Sequence, residues 1–206
     1  MALSGVFLIV FLTQHFIINI TSVFSEDIFN MLSHFMGNNP LVQFILQPIL
    51  IAGVLFHFVM GFVLEWQNRK ARPVTYAMYK GSRNSMFVSR NMIISGIVIL
   101  SFLVLHFYDF WVPEMDYKYI KVLPEDPDRY YEELIHKFEH PIRVSLYCLS
   151  FIFLGLHLVH GLSSSTQSLG TNNKYAGTIQ KISYAFGIGI PLGFCFIALY
   201  HFFMHF

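Results

Sequence analysis

Four histidines lie where lipid would surround most side chains. His15 sits in FLTQHFIINI, His57 in VLFHFVMGF, His106 in LVLHFYDFW and His157 in LGLHLVHGL, each inside an apolar run. A neutral imidazole carries one N–H donor and one lone pair, so it can bond a neighbouring helix, relay a proton or ligate a metal. Ionisable residues inside membrane helices are costly and face one another, a cavity or a ligand. A bond to a neighbouring helix explains one such histidine. Four of them, one in each of four successive apolar runs, ask for a shared purpose.

The elements that must carry them follow from composition. Of 206 residues, 55% are hydrophobic and 12% charged, and the mean hydropathy is +0.54. Soluble domains use about 25% charged residues, so this supply cannot easily clothe a water-exposed surface. A membrane-spanning helix needs roughly 17–25 mostly apolar residues. Five segments qualify, 2–24, 43–65, 91–112, 142–164 and 182–205. They predict an all-α, multi-pass transmembrane bundle forming a single domain over 1–206. The polar stretch 113–141 contains Pro113, Pro124, Pro127 and Pro141, and within it DRYYEELIHKFEH predicts a short surface helix capped near Asp126 or Asp128. No internal repeat is expected. Cys148 and Cys195 both fall in apolar runs and read as small hydrophobes, not as a disulfide or a zinc site. MALSGVFLIV lacks a basic leading region, so no cleavable signal peptide is expected.

Charge predicts the topology. The 66–90 connection holds Arg69, Lys70, Arg72, Lys80, Arg83 and Arg90 without an acid, and 165–181 adds Lys174 and Lys181. The 25–42 connection has Glu26 and Asp27 but no Lys or Arg, and 113–141 is mainly acidic. Lys and Arg concentrate on the cytoplasmic side, which places the N-terminus inside and the C-terminus outside.

Depth then sorts the histidines. At 1.5 Å rise per residue, His57 and His157 each lie roughly 13 Å from the inner ends of their helices, and His106 lies roughly 22 Å from its own. His15 matches His106. An inner pair, His57 with His157, and an outer pair, His15 with His106, result. Imidazole is a strong axial ligand for haem iron, and two stacked haems would form an electron wire across the bilayer. Gly53 and Gly61 flank His57 at i−4 and i+4, and Gly161 follows His157 at i+4. Positions four apart share a face, so these glycines could clear a surface for a porphyrin; close helix packing is the competing use. Arg69, Lys70, Arg72, Arg83 and Arg90 at the inner boundary could pair with haem propionates.

With QHFIIN, SHFMGNNP, FHFVMGF, LHFYDFW and LHLVHGLSSSTQSLG in hand, the chain resembles a known family over nearly its whole length. It is similar to the cytochrome b membrane-anchor subunit of succinate:quinone oxidoreductases (succinate dehydrogenase or fumarate reductase, respiratory complex II), in the single-chain, five-helix, di-haem class. The resemblance implies two haems b with His15, His57, His106 and His157 as axial ligands to iron. It also implies a flavoprotein subunit and an iron–sulfur subunit on the cytoplasmic face, a membrane quinone as substrate and a bacterial cytoplasmic membrane. Electron transport would then link succinate, a tricarboxylic acid cycle intermediate, to the quinone. No nucleic acid is expected as a partner.

The remaining polar residues carry weaker expectations. His160, about 4.5 Å nearer the inner surface than His157, reads as a propionate or backbone partner. His34, beside Asn30 and Asn38, is a candidate for a quinone site or an interfacial residue. His136, His140, His201 and His205 read as solvated or interfacial, and Asp109, three residues past His106, as a boundary carboxylate, with tuning of the outer haem or contact with a quinone headgroup as the alternatives. Two other functions compete. A haem-free transporter relaying protons predicts broken helices or inverted repeats; a cytochrome b serving a hydrogenase or formate dehydrogenase predicts a different ligand pattern.

Overall fold

The computed structural model describes residues 1–71, 92–170 and 176–204. Among these residues there is no strand, and five helical segments are long and apolar enough to cross a membrane. Helix α1 (Ala2–Ile20) ends in a tighter turn, Thr21–Val23, and is followed by α2 (Glu26–Asn38). Helix α3 spans Gln47–Lys70 and α4 Met92–His106; α5 spans Arg129–Phe138, α6 Pro141–Ser168 and α7 Ala176–Met204.

Two segments differ from the sequence expectation, each for a local reason. The 25–42 connection is mostly the helix α2. Ser25 caps it by accepting from the Ile28 amide at 3.3 Å, and Glu26 and Asp27 complement its first turn. The third span does not stop at 112. It runs on to Ile120 through a wide turn at Phe107–Trp111, a helical turn at Val112–Met115 and a second wide turn at Asp116–Ile120. Pro113 would crowd the Asp109 carbonyl four residues back; the wide turn just before it opens that spacing. Pro48 is handled in the same way, after the wide turn Val42–Leu46. The short surface helix forms as expected; Asp128 stands at its N-cap position but its side chain makes no capping bond, and the Asp126 carboxylate accepts from the Asp128 amide at 3.0 Å.

Helices α1, α3, α4 and α6 form a ring in which α1 touches α3, α3 touches α4, α4 touches α6 and α6 touches α1. The diagonals are therefore α1 with α4 and α3 with α6. Helix α7 lies outside the ring against α6 and α1. Its contact with α6 is close. A Cβ added to Gly155 would stand 3.2 Å from the Gly187 carbonyl oxygen, and Pro191 packs on the same glycine. Pro191 donates no amide hydrogen to Gly187 four residues back, which leaves that carbonyl facing the neighbouring helix.

The end of the bundle opposite Lys70 is capped by α2 and α5. Asn30 clips them together, donating to the Asp128 carbonyl at 2.9 Å and accepting from the Tyr131 amide at 2.8 Å. Arg129 is buried between the rings of Tyr117 and Tyr130, 4.1 and 4.4 Å from their centres, and binds Glu114 and Glu133. Burial works against its charge, but the two carboxylates outweigh burial and raise the Arg129 pKa. Burial, then the Glu114 charge, pushes Tyr130 up to about 12. His201 is not interfacial. It is fully buried at the capped end, with Nε2 2.9 Å from the Ser22 hydroxyl.

Candidate cofactor site: two facing histidine pairs

The ring order of the helices decides which histidines can meet. His15 of α1 and His106 of α4 face each other along one diagonal, their ring centres 5.8 Å apart. His57 of α3 and His157 of α6 face each other along the other diagonal at 6.3 Å. Ser4 and Ser95 lie level with the second pair and 11 residues before His15 and His106. Eleven residues is about three helical turns, so the two pairs stand about 16 Å apart along the bundle on one face of each helix.

The spacing within each pair suits a single bridging metal. Metal–imidazole nitrogen bonds are about 2.0–2.1 Å and a ring nitrogen lies about 1.1 Å from its centre, so two rings that would share one metal have centres at most about 6.3 Å apart. The two pairs, at 5.8 and 6.3 Å, lie within that limit. Among the described residues, no group of three or more His, Cys, Asp or Glu side chains gathers as a metal site. Two imidazoles are too few for a bare zinc ion, which takes three or four protein ligands. Two imidazoles could hold a metal whose other ligands come from a macrocycle, as in haem.

Each pair has its own surroundings. Phe11 stacks on His15 at 5.5 Å and Phe102 on His106 at 5.7 Å, each four residues earlier on the same helix. Phe194 of α7 closes one side, 5.8 Å from His15. Nδ1 of His106 is buried with no hydrogen-bond partner among the described residues. The other pair is held by hydroxyls, with Ser4 Oγ 3.1 Å from His57 Nδ1 and Ser95 Oγ 3.1 Å from His157 Nδ1.

These contacts repeat. Met1, just before α1, and Ser4, Gly5, Phe11 and His15 within it recur at identical offsets as Met92, Ser95, Gly96, Phe102 and His106 of α4. Gly61, four residues past His57, lies against Met1; Gly161, four past His157, lies against Met92. Exchanging the α1–α3 hairpin with the α4–α6 hairpin maps the whole set onto itself. No self-similar segment marks this repeat, because it consists of five positions spread over 15 residues of apolar filler. The Ser-Gly dipeptide 11 residues before a membrane histidine was the available signal.

The other expected residues fall out differently. A Cβ on Gly61 or Gly161 would meet only a methionine methyl, at 3.7 and 4.0 Å, so both glycines leave room. Gly53 does not. A Cβ there would come within 2.7 Å of the Phe7 ring, so its lack of a side chain serves the packing of α1 on α3. His160 lies one turn beyond His157, half-buried, without a hydrogen bond among the described residues. Arg69 is exposed and paired with Glu65 at 2.7 Å, and Lys70 lies over the Trp66 ring. Arg90, with Arg72, Lys80, Arg83, Lys174 and His205, lies outside the described residues. His34 bonds Asn38 at 2.8 Å in the cap. Asp109 is not a boundary carboxylate. It is buried, accepts from the Tyr147 hydroxyl at 2.8 Å and pairs with Arg143 at 3.2 Å. No protein-family model, curated protein or solved structure matches the chain.

Proposed function

We propose that the chain is the membrane anchor and electron-transfer subunit of a succinate:quinone oxidoreductase. In this reading His15 and His106 would hold one haem b, and His57 and His157 a second. The observation that carries it is the pair of diagonals, two imidazole couples at two depths, each at a spacing suited to one iron. When bound, b-type haem supplies a one-electron couple at each pair. The chain supplies the scaffold: four helices aim the rings at the bundle axis, and Phe11, Phe102 and Phe194 surround one pair with apolar surface.

The oxidation of succinate itself belongs to partners. The sequence has two cysteines, both in apolar runs, and no glycine-rich nucleotide motif, so a flavoprotein and an iron–sulfur subunit must bring those groups. Arg69 and Lys70 end α3 opposite the cap, where Glu26 and Asp27 begin α2. The positive-inside tendency assigns the Lys70 end to the cytoplasm, and with it the docking face. A bacterial cytoplasmic membrane and a membrane quinone as the second substrate complete the reading.

Purification of the chain with its native partners tests this. A flavoprotein and an iron–sulfur subunit should co-purify, and succinate should reduce b-type haem in the assembly. Haem that responds to formate or hydrogen but not to succinate would point to another respiratory dehydrogenase. Absence of haem would remove the cytochrome reading altogether.

A further inference from the structure

We infer that Ser4 and Ser95 are positioning residues that set the tautomer and aim of His57 and His157, and through them the potential of the haem those histidines would hold. The inference rests on the haem reading for its electrochemical consequence, but its geometric core stands on hydrogen bonds alone.

A serine hydroxyl has one hydrogen to give. Ser4 Oγ gives it to the Met1 carbonyl at 2.8 Å, and Ser95 Oγ gives it to the Met92 carbonyl at 2.9 Å. Each hydroxyl also touches an imidazole Nδ1 at 3.1 Å. With its proton committed to the backbone, the oxygen can only accept there. In the arrangement we infer, Nδ1 of both histidines carries the ring proton, and Nε2 carries the lone pair. Neither Nε2 has a hydrogen-bond partner among the described residues. The same device occurs twice, on helices exchanged by the internal repeat, and in each case the next residue is a glycine beside the ring. A Cβ on Gly5 would stand 3.8 Å from His57 Cε1, and one on Gly96 4.0 Å from His157 Cε1.

An acceptor on the distal N–H orients a metal-binding imidazole and raises its basicity. A more basic ligand favours the ferric state. Loss of a serine hydroxyl should therefore raise the reduction potential of this one haem and leave that of His15 and His106 in place. Helices α1 and α4 thus act at both levels, with a ligand at one and the hydroxyl that orients a ligand at the other.

The experiment is a redox titration of the assembled complex carrying Ser4→Ala, Ser95→Ala, Ser4→Thr or Ser95→Thr, with haem content and low-spin EPR g-values measured alongside. Each alanine variant should keep its helix content. It should shift the reduction equilibrium of one haem about tenfold, roughly 59 mV for one electron, with altered g-values for that haem alone. The threonine variants, which keep the hydroxyl, should retain the wild-type potential. Selective loss of one haem in the alanine variants, restored by threonine, would also support the assignment. Unchanged potentials and g-values in both alanine variants, or threonine behaving like alanine, would overturn it. Failure of the haem reading itself would show separately, as no haem in the wild-type assembly. Nitrogen-15 shifts of His57 and His157 then decide the serine roles: protonation at Nδ1 upholds them, and protonation at Nε2 refutes them.

Discussion

Gly187 rests directly on the backbone of Val159: a Cβ at position 187 would stand 2.8 Å from the Val159 nitrogen. Backbone cannot step aside as a side chain can. Gly187→Ala should force α7 away from α6 and cost about 1–3 kcal/mol, the usual range for overpacking. Thermal unfolding followed by circular dichroism reads this directly. An unchanged midpoint would mean that the two helices are not so closely opposed.

The proposed haem ligands predict a pattern of losses. His15→Ala or His106→Ala should each remove one haem and leave the other, and His57→Ala or His157→Ala should remove the second. His160→Ala should keep both, because its ring stands outside either pair. A pyridine haemochrome assay should give two haems per wild-type chain and one for each ligand variant. A single haem in the His160 variant, with two retained in the His157 variant, would reassign the ligand.

Asp109 is held by Arg143 and Tyr147. Its carboxylate is buried, whereas the Arg143 side chain is 30% exposed, so the pair is part-screened. Arg143→Leu should cost about 3 kcal/mol by leaving a carboxylate buried with one hydroxyl. The double variant Asp109→Asn, Arg143→Leu should cost less than the sum of the two single changes. Strict additivity in denaturant unfolding would show that the two charges do not sense each other.

Docking on the Lys70 end can be tested by charge reversal. Arg69→Glu with Lys70→Glu should weaken retention of the iron–sulfur and flavoprotein subunits, most at low salt, where exposed charges act over longer distances. Undiminished co-purification, with helix content intact, would move the docking face elsewhere.

The five spans were legible in the sequence because hydrocarbon demands long apolar runs, and the histidines stood out against them. The pairing of His57 with His157 and of His15 with His106 followed from helical rise alone, without knowledge of which helices are neighbours. What stayed hidden depended on neighbours. Asp109 reads as a boundary carboxylate until Tyr147 and Arg143 are seen around it, and His201 reads as interfacial until Ser22 and α5 cover it. The extension of the third span through Pro113 was also invisible, because proline normally ends a helix and only the wide turn before it permits otherwise.

The exchange of the two hairpins has a consequence for ancestry. Each histidine pair draws one ring from each hairpin, so both pairs lie where a dyad between the hairpins would pass. One hairpin associated with an identical copy of itself would already hold both couples whole, each ring facing its own twin. Gene duplication and fusion of such a half-length precursor would then create no new ligand. It would free the two halves to diverge, so that His106 and His15, equivalent in such a precursor, could acquire different neighbours.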